Sequence, residues 1–163
     1  MLLYQQFFYF LIGLGILLGL PALWMFSRAM WPALVERGRE VASRRLLANF
    51  FAGLPVVVVI VALVANAGKA GQQGGLALIV VIGLLIMWGL VGAAGLAAHV
   101  GARLWPSMTG DEAWRAMLRG SLVLAGVLAI PFIGWFILLL VLITLGFGIQ
   151  VRSFFVGRRT TAA

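Results

Sequence analysis

Long apolar segments dominate this chain, and almost every charged residue lies between them or after the last one. Hydrophobic residues make up 64% of the 163 positions and charged residues only 10%, whereas a soluble domain is about half apolar and about a quarter charged. A hydrocarbon core of about 30 Å is crossed by about 20 apolar residues in a helix. The sequence therefore predicts an all-α, polytopic transmembrane helical bundle that forms a single membrane domain.

Three segments have the length and composition of full membrane spans. They cover about residues 3–25, 46–64 and 76–100. The β-branched residues 56–61 would also suit a strand, but an open sheet edge leaves backbone groups without hydrogen bonds in lipid, so a helix is predicted. Trp24 and the neighbouring Trp31 are expected to form an aromatic belt at the interface.

A further apolar block, residues 118–155, is too long for one span and is interrupted near its middle. We expect a helical hairpin with arms at about residues 120–130 and 136–151. The residues expected to form its turn are Pro131, Gly134 and Trp135. The arms either cross the bilayer fully, as two further spans, or dip in and return as a re-entrant hairpin.

Arginine is concentrated in two predicted loops and in the tail. The loop 27–45 carries five arginines, the loop 103–119 three, and the tail 152–163 another three, whereas the connection between the second and third spans carries only Lys69. The positive-inside rule therefore places both arginine-rich loops and the C-terminus in the cytoplasm, and the N-terminus outside. The expected location is the bacterial cytoplasmic (inner) membrane.

The basic loops predict a particular kind of partner. Arginines beside apolar segments suit the anionic surface of the inner leaflet or a partner protein. Nucleic acid is not expected, although the net charge is +8, because a surface that follows phosphates must be free of lipid. The residues predicted to contact headgroups or a partner are Arg37, Arg39, Arg44, Arg45, Arg115 and Arg119.

Both basic loops contain helical patterns. In the first, the apolar residues Leu34, Val35, Val41 and Ala42 share one helical face, which predicts an interfacial helix or a cytoplasmic extension of the first span. The spacing there also predicts the ion pairs Glu36–Arg39 and Glu40–Arg44. In the second loop, Thr109 and Glu112 have the spacing of a capping box, so a helix is expected to begin near Gly110, with Asp111 or Glu112 paired to Arg115.

Small residues recur every four positions in the third span, at Gly89, Ala93, Ala97 and Gly101. Such a stripe lets a neighbouring helix pack backbone to backbone. The partner helix is either the first or last span of the same chain or a second copy in a homo-oligomer.

Few residues in the chain can carry out a reaction. There is no cysteine, and His99 is the only histidine, so neither a thiolate site nor a histidine metal centre is expected. His99 is interpreted as an interfacial imidazole or a pH-sensitive group. The predicted spans contain no Asp or Glu, which argues against an ion-coupled transporter. Their polar residues Asn49, Ser121 and Thr144 are expected to form hydrogen bonds between helices. We predict no enzyme activity, cofactor or metal.

The C-terminal third contains short motifs in which glycine, proline and apolar residues alternate. They are Gly101-Ala102-Arg103-Leu104, Leu118-Arg119-Gly120, Ile130-Pro131-Phe132-Ile133-Gly134-Trp135 and Leu145-Gly146-Phe147-Gly148. In these motifs the segment 99–155 resembles the membrane portion of some bacterial, polymer-forming, bactofilin-like proteins. The soluble β-helix of bactofilins has no counterpart here, so the resemblance implies a membrane module of the kind attached to a scaffold, and it transfers no functional residue.

Taken together, these patterns favour a non-enzymatic structural, assembly or scaffold component of the membrane. Two alternatives stay open from the sequence. One is a small oligomeric channel or facilitator, because kinkable spans and a re-entrant hairpin are typical of pores. The other is an accessory subunit of a larger membrane complex.

Overall fold

The computed structural model describes residues 2–67, 69, 71–130 and 133–159, and every regular element in this part of the chain is helical. The α-helices are α1 (Leu2–Met30), α2 (Pro32–Arg44), α3 (Leu46–Ala67), α4 (Gly71–Leu104), α5 (Ala113–Leu128) and α6 (Leu139–Arg159). A 3₁₀ turn, Gly110–Glu112, precedes α5, and a π-helical segment, Ile133–Leu138, precedes α6. The all-α prediction is confirmed.

In the described part of the chain, three helices are long and apolar enough to cross a membrane. Their apolar portions are Tyr4–Met30, Leu46–Asn66 and Gly74–Leu104, and each covers all or nearly all of one predicted span. The apolar part of α6, Leu139–Ser153, is shorter. By length and composition, these helices indicate a membrane protein.

The C-terminal half of α4 lies at the centre of the bundle. Residues 92–98 are all buried, and α1, α2, α3, α5 and α6 all pack against α4. Six of these seven residues are glycine or alanine, so neighbouring helices can approach the α4 backbone from several sides. A helix with larger side chains here could not be surrounded so closely.

Glycines make the tightest contacts between α6 and its neighbours. A Cβ atom added at Gly146 would overlap the carbonyl oxygen of Gly89, and one at Gly92 would overlap the carbonyl oxygen of Gly146. On the other side of α6, a Cβ at Gly148 would overlap the carbonyl oxygen of Asn49 in α3. Helix α6 is therefore held between α3 and α4 by direct backbone contact.

Helix α5 packs on α4 in the same way. A Cβ at Gly120 would meet the backbone of Ala97 and Gly101, and a Cβ at Gly101 would meet the carbonyl of Ala116. Ala116 of α5 lies beside Gly101 of α4, and the later residue Gly120 lies beside the earlier residue Ala97. The two helices are therefore antiparallel. Residues Ala113–Leu128 form α5, so this helix begins well before the predicted arm at 120–130.

Helix α2 packs against other helices of the bundle, and its place at the membrane interface stays a prediction. Its apolar face packs on α4 and α6, and a Cβ at Gly95 of α4 would overlap Gly38 of α2. The apolar pattern itself was informative, because Val35, Val41 and Ala42 are buried. Two glycines at the crossing point allow this contact, so the helix is part of the bundle.

The prediction for the start of α5 is right about the position and wrong about the cap. Helical structure begins at Gly110, as expected, with a 3₁₀ turn that continues into the α-helix at Ala113. Gly110 has a φ of 60°, a left-handed conformation that glycine adopts without steric cost. The Thr109 side chain forms no capping hydrogen bond, so the predicted capping box is not present.

The predicted hairpin region can be followed only in part. Pro131 lies outside the described residues, as does the side chain of Trp135. Gly134 is buried against the backbone of Leu128, at the end of α5. Helix α6 is antiparallel to α3, because Gly53 meets Thr144 and Asn49 meets Gly148.

These contacts predict that Gly146→Ala destabilises the protein and that Gly83→Ala does not. A methyl group at Gly146 would overlap the Gly89 carbonyl, whereas nothing lies within 4 Å of a Cβ at Gly83. We expect Gly146→Ala to lower the free energy of unfolding by about 2 kcal/mol or more, a cost typical of overpacking. Thermal unfolding in detergent measures this, and equal stability of the two variants would contradict the packing described.

Candidate functional site

The arginine-rich segments are joined by hydrogen bonds between helices. Arg28, in the last turn of α1, donates from Nη1 to the carbonyl oxygen of Ala113, at 3.0 Å. The same nitrogen lies 3.7 Å from the sulfur of Met117. This contact connects the end of α1 to the start of α5. In the sequence, Arg28 is one of five arginines in the predicted loop 27–45, and no pattern distinguishes it from the other four.

Asn49 connects three helices. Its side chain is fully buried, and its Nδ2 donates to the carbonyl oxygen of Val41 in α2, at 3.0 Å. Arg152 of α6 donates from Nη1 to Asn49 Oδ1, at 2.7 Å. The amide therefore links α2, α3 and α6, and its oxygen accepts a charge-assisted hydrogen bond.

Of the three polar residues expected to bond between helices, only Asn49 does so. The Ser121 hydroxyl donates to the carbonyl oxygen of Met117, and the Thr144 hydroxyl to that of Leu140. Both acceptors lie one turn earlier in the same helix, within reach of a short hydroxyl side chain. The prediction is confirmed for Asn49 and wrong for Ser121 and Thr144.

Trp24 was predicted to lie in an aromatic belt at the membrane interface, but it is buried between helices. Its ring is fully buried, and Nε1 donates to the carbonyl oxygen of Leu90 in α4, at 2.9 Å. Trp31, by contrast, is 48% exposed. Position near the end of a span could not separate these two tryptophans, because burial of Trp24 depends on how α1 crosses α4.

The small-residue stripe is occupied within the chain. All four of its residues are buried. Gly89 contacts Gly146 and Phe147 of α6, and Ala97 and Gly101 contact Gly120 of α5. The stripe therefore has no free face in this structure for a helix from a second chain.

The six arginines predicted to contact headgroups or a partner lie mostly on exposed surfaces. Arg37, Arg44, Arg45, Arg115 and Arg119 are exposed, and Arg39 is intermediate. The predicted pair Glu36–Arg39 is present, as is Arg115–Glu112, at 2.9 Å. The predicted Glu40–Arg44 pair is not formed. The Arg119 guanidinium carbon lies 5.6 Å from the centre of the Trp105 ring, a cation–π distance.

Two cavities open at the end of the bundle that carries these arginines, among the described residues. The first, about 230 Å³, lies between α1, α2, α4 and the residues that lead into α5. Its polar lining comes from Arg28, Glu36, Arg39, Trp105 and Thr109. The remainder of its wall is largely small or apolar, with Ala98, Ala102, Pro106, Met108, Gly110, Ala113 and Ala116.

The second cavity contains the only histidine. It has a volume of about 250 Å³ and is lined by Arg39, Glu40, Ser43, His99 and Ala102. The Ser43 hydroxyl donates to the carbonyl oxygen of Glu40, so this serine is not hydrogen-bonded to the imidazole as a nucleophile would be to its base. Arg39 and Ala102 line both cavities.

In the described part of the chain, no group of three or more His, Cys, Asp or Glu side chains could hold a metal ion. Comparison of the chain with protein families, curated proteins and solved structures found no match. The bactofilin-like resemblance stays a prediction.

We predict that Asn49→Leu destabilises the bundle by about 1–2 kcal/mol, because it removes bonds to two other helices. Asn66→Leu is the matched control, since the exposed Asn66 side chain donates to the carbonyl oxygen of Ala62 in its own helix. Thermal unfolding in detergent compares the two. Arg152→Met should be non-additive with Asn49→Leu, because both remove the same hydrogen bond. Equal stability of the two asparagine variants would contradict a linking role for Asn49.

Proposed function

We propose that this protein is a non-enzymatic, multi-pass component of the bacterial inner membrane, with a structural or assembly role. In this proposal its arginine-rich end faces the cytoplasm, where it holds anionic lipid headgroups and a partner. The observation that carries the proposal is the segregation of charge. Arg28, Arg39, Arg119 and Arg152 lie on segments that contact one another at one end of the bundle.

The halves of α1, α3 and α4 that lie away from the arginine-rich end support the same orientation. Most of the described apolar side chains of α1 between Tyr4 and Leu18 are exposed. Helices α3 and α4 expose Val58, Val64, Leu76 and Leu84 in the halves that flank their connection. Lys69, in that connection, is the only charged residue between Leu46 and His99. A chain with one basic end and long apolar helices matches the charge bias of cytoplasmic membrane loops.

The contacts of α5 and α6 support the proposed threading. Helix α5 runs antiparallel to α4, and α6 runs antiparallel to α3. Because the short connection between α3 and α4 favours opposite directions for those helices as well, α5 and α6 would form the reversing arms of the proposed hairpin. This arrangement would return the chain, after α6, to the side of the arginine-rich loops.

An assembly role would need surfaces other than the small-residue stripe, because that stripe is buried. The exposed charged face of α2 is one such surface, with Glu36, Arg37, Glu40 and Arg44. It is rigidly placed, since the apolar face of α2 packs on α4 and α6. A partner that binds this face would contact both signs of charge, which favours specificity of orientation.

The topology can be tested with reporter tags. We expect a tag inserted at Lys69 to lie outside the cytoplasm and a tag after Ala163 to lie inside, because α3 and α6 would each return the chain across the bilayer. Each tag is fused to two reporters in turn, one that is active only in the cytoplasm and one that is active only outside it. Appearance of both tags on the same side would make the proposed threading of the last two helices wrong.

The assembly role is tested by extracting the full chain from native membranes in polymer-bounded lipid discs and measuring particle mass and composition. We expect more than one protein chain per particle. We also expect replacement of Arg37 and Arg44 by glutamine to reduce the amount of the other protein chain that co-purifies. Lys69→Gln, in the connection between α3 and α4, should leave that amount unchanged. A single chain with no companion would refute the assembly role. A second protein in fixed ratio would identify an accessory subunit, and solute flux in liposomes would identify a channel.

A further inference from the structure

We propose that the cavity between α1, α2, α4 and the start of α5 binds the phosphate of a glycerophospholipid headgroup. Arg28 is the main phosphate-binding residue. This inference rests on the proposed function, because the cavity must lie at the level of the membrane surface to receive a lipid. It goes further, since it assigns one headgroup to one defined site instead of to a basic surface in general.

The charge of the cavity suits an oxyanion. Two arginines and one glutamate contribute to its lining, so its formal net charge is +1. Glu36 is engaged by Arg39 in an ion pair that is about half exposed on both sides. Arg28 is paired with no carboxylate in the described part of the chain, and its positive charge is therefore the one left to be neutralised by a bound anion.

Arg28 is also oriented for this role. Among the described residues, its polar contacts are to the Ala113 carbonyl and the Met117 sulfur, and both use Nη1. Nε and Nη2 are therefore available there, and this edge of a guanidinium can donate two parallel hydrogen bonds to a phosphate. The bond to Ala113 holds the side chain in place, so less rotamer freedom is lost when an anion binds.

Thr109 and Trp105 add to the site. The Thr109 side chain does not cap the following helix and instead lines the cavity, where its hydroxyl can donate to a phosphate oxygen. Trp105 lines the same cavity, beneath the Arg119 guanidinium. Tryptophan and arginine side by side are typical of the headgroup level of a membrane.

The apolar part of the wall indicates a lipid instead of free phosphate. Ala98, Ala102, Met108 and Ala116 bring methyl and thioether groups to the cavity, and such groups gain nothing from a small hydrated anion. They can contact the glycerol and the first methylenes of an acyl chain, whose burial is favourable. The cavity of about 230 Å³ would hold the phosphate and glycerol, with the acyl chains outside among the helices.

The test compares Arg28→Gln with Arg103→Gln in the full chain. Arg103 is the matched control, because it is an exposed arginine in the last turn of α4 and is not among the residues that line the cavity. Native mass spectrometry from detergent would titrate phosphatidylglycerol onto each protein. We expect Arg28→Gln to weaken the tightest binding step about tenfold or more, as for loss of a charged hydrogen bond, and Arg103→Gln to bind like the unchanged protein.

Two further ligands identify the source of the phosphate. Diacylglycerol with the same acyl chains should fail to occupy the site, and inorganic phosphate should compete only weakly with phosphatidylglycerol. Equal binding of diacylglycerol would overturn phosphate recognition. Tight binding of inorganic phosphate without binding of the lipid would overturn the lipid assignment.

A second variant guards against loss of fold. Met108→Trp fills the cavity from the loop between α4 and α5 and leaves every arginine in place, so it should also weaken the tightest step. If Arg28→Gln does not fold, Met108→Trp decides the matter by itself. Unchanged lipid binding by a folded variant would overturn this site while leaving the topology and assembly results of the proposed function intact, so the two failures are distinguishable.

Discussion

Direct contact between helix backbones is the constraint on which this bundle depends. At residues 92–98 of α4 almost every side chain is a hydrogen atom or a methyl group, and the glycines of α2, α5 and α6 meet this segment closely. With lipid as the proposed solvent, apolar side chains gain little by leaving it for another helix, so association relies on van der Waals packing and hydrogen bonds. Close packing at glycine supplies the first of these.

Hydrogen bonds between the helices supply the second. Asn49 joins α2, α3 and α6, Trp24 joins α1 to α4, and Arg28 joins α1 to α5. Every α-helix of the bundle takes part in at least one of these bonds. The bonds consequently do two things: they fix the order of the helices, and they set the arginine-bearing segments in a definite arrangement around the two cavities.

This arrangement gives the proposed functions a common physical basis. A rigid end with arginines at fixed positions can distinguish one phosphate or one partner surface from another, whereas a mobile basic loop attracts any anionic surface. Burial of the α2 apolar face fixes the arginines of this segment in position. Because that face packs on α4 and α6, the charged face of α2 points outward in a defined direction. The proposed headgroup site and the proposed assembly surface then lie at the same end of the bundle, and Glu36 contributes to both.

Composition and periodicity were sufficient for the class of fold, the three long apolar helices and the apolar face of α2, because these depend on residues close together in sequence. The stripe at Gly89, Ala93, Ala97 and Gly101 marked a place of close packing, but periodicity could not say that α5 and α6 would fill it. The same limit explains Trp24, whose hydrogen bond depends on a residue 66 positions away, and Arg28, whose partner lies 85 positions away. Only the tertiary structure decides such pairings, because they arise where helices cross, and crossing points depend on the packing of all the helices at once.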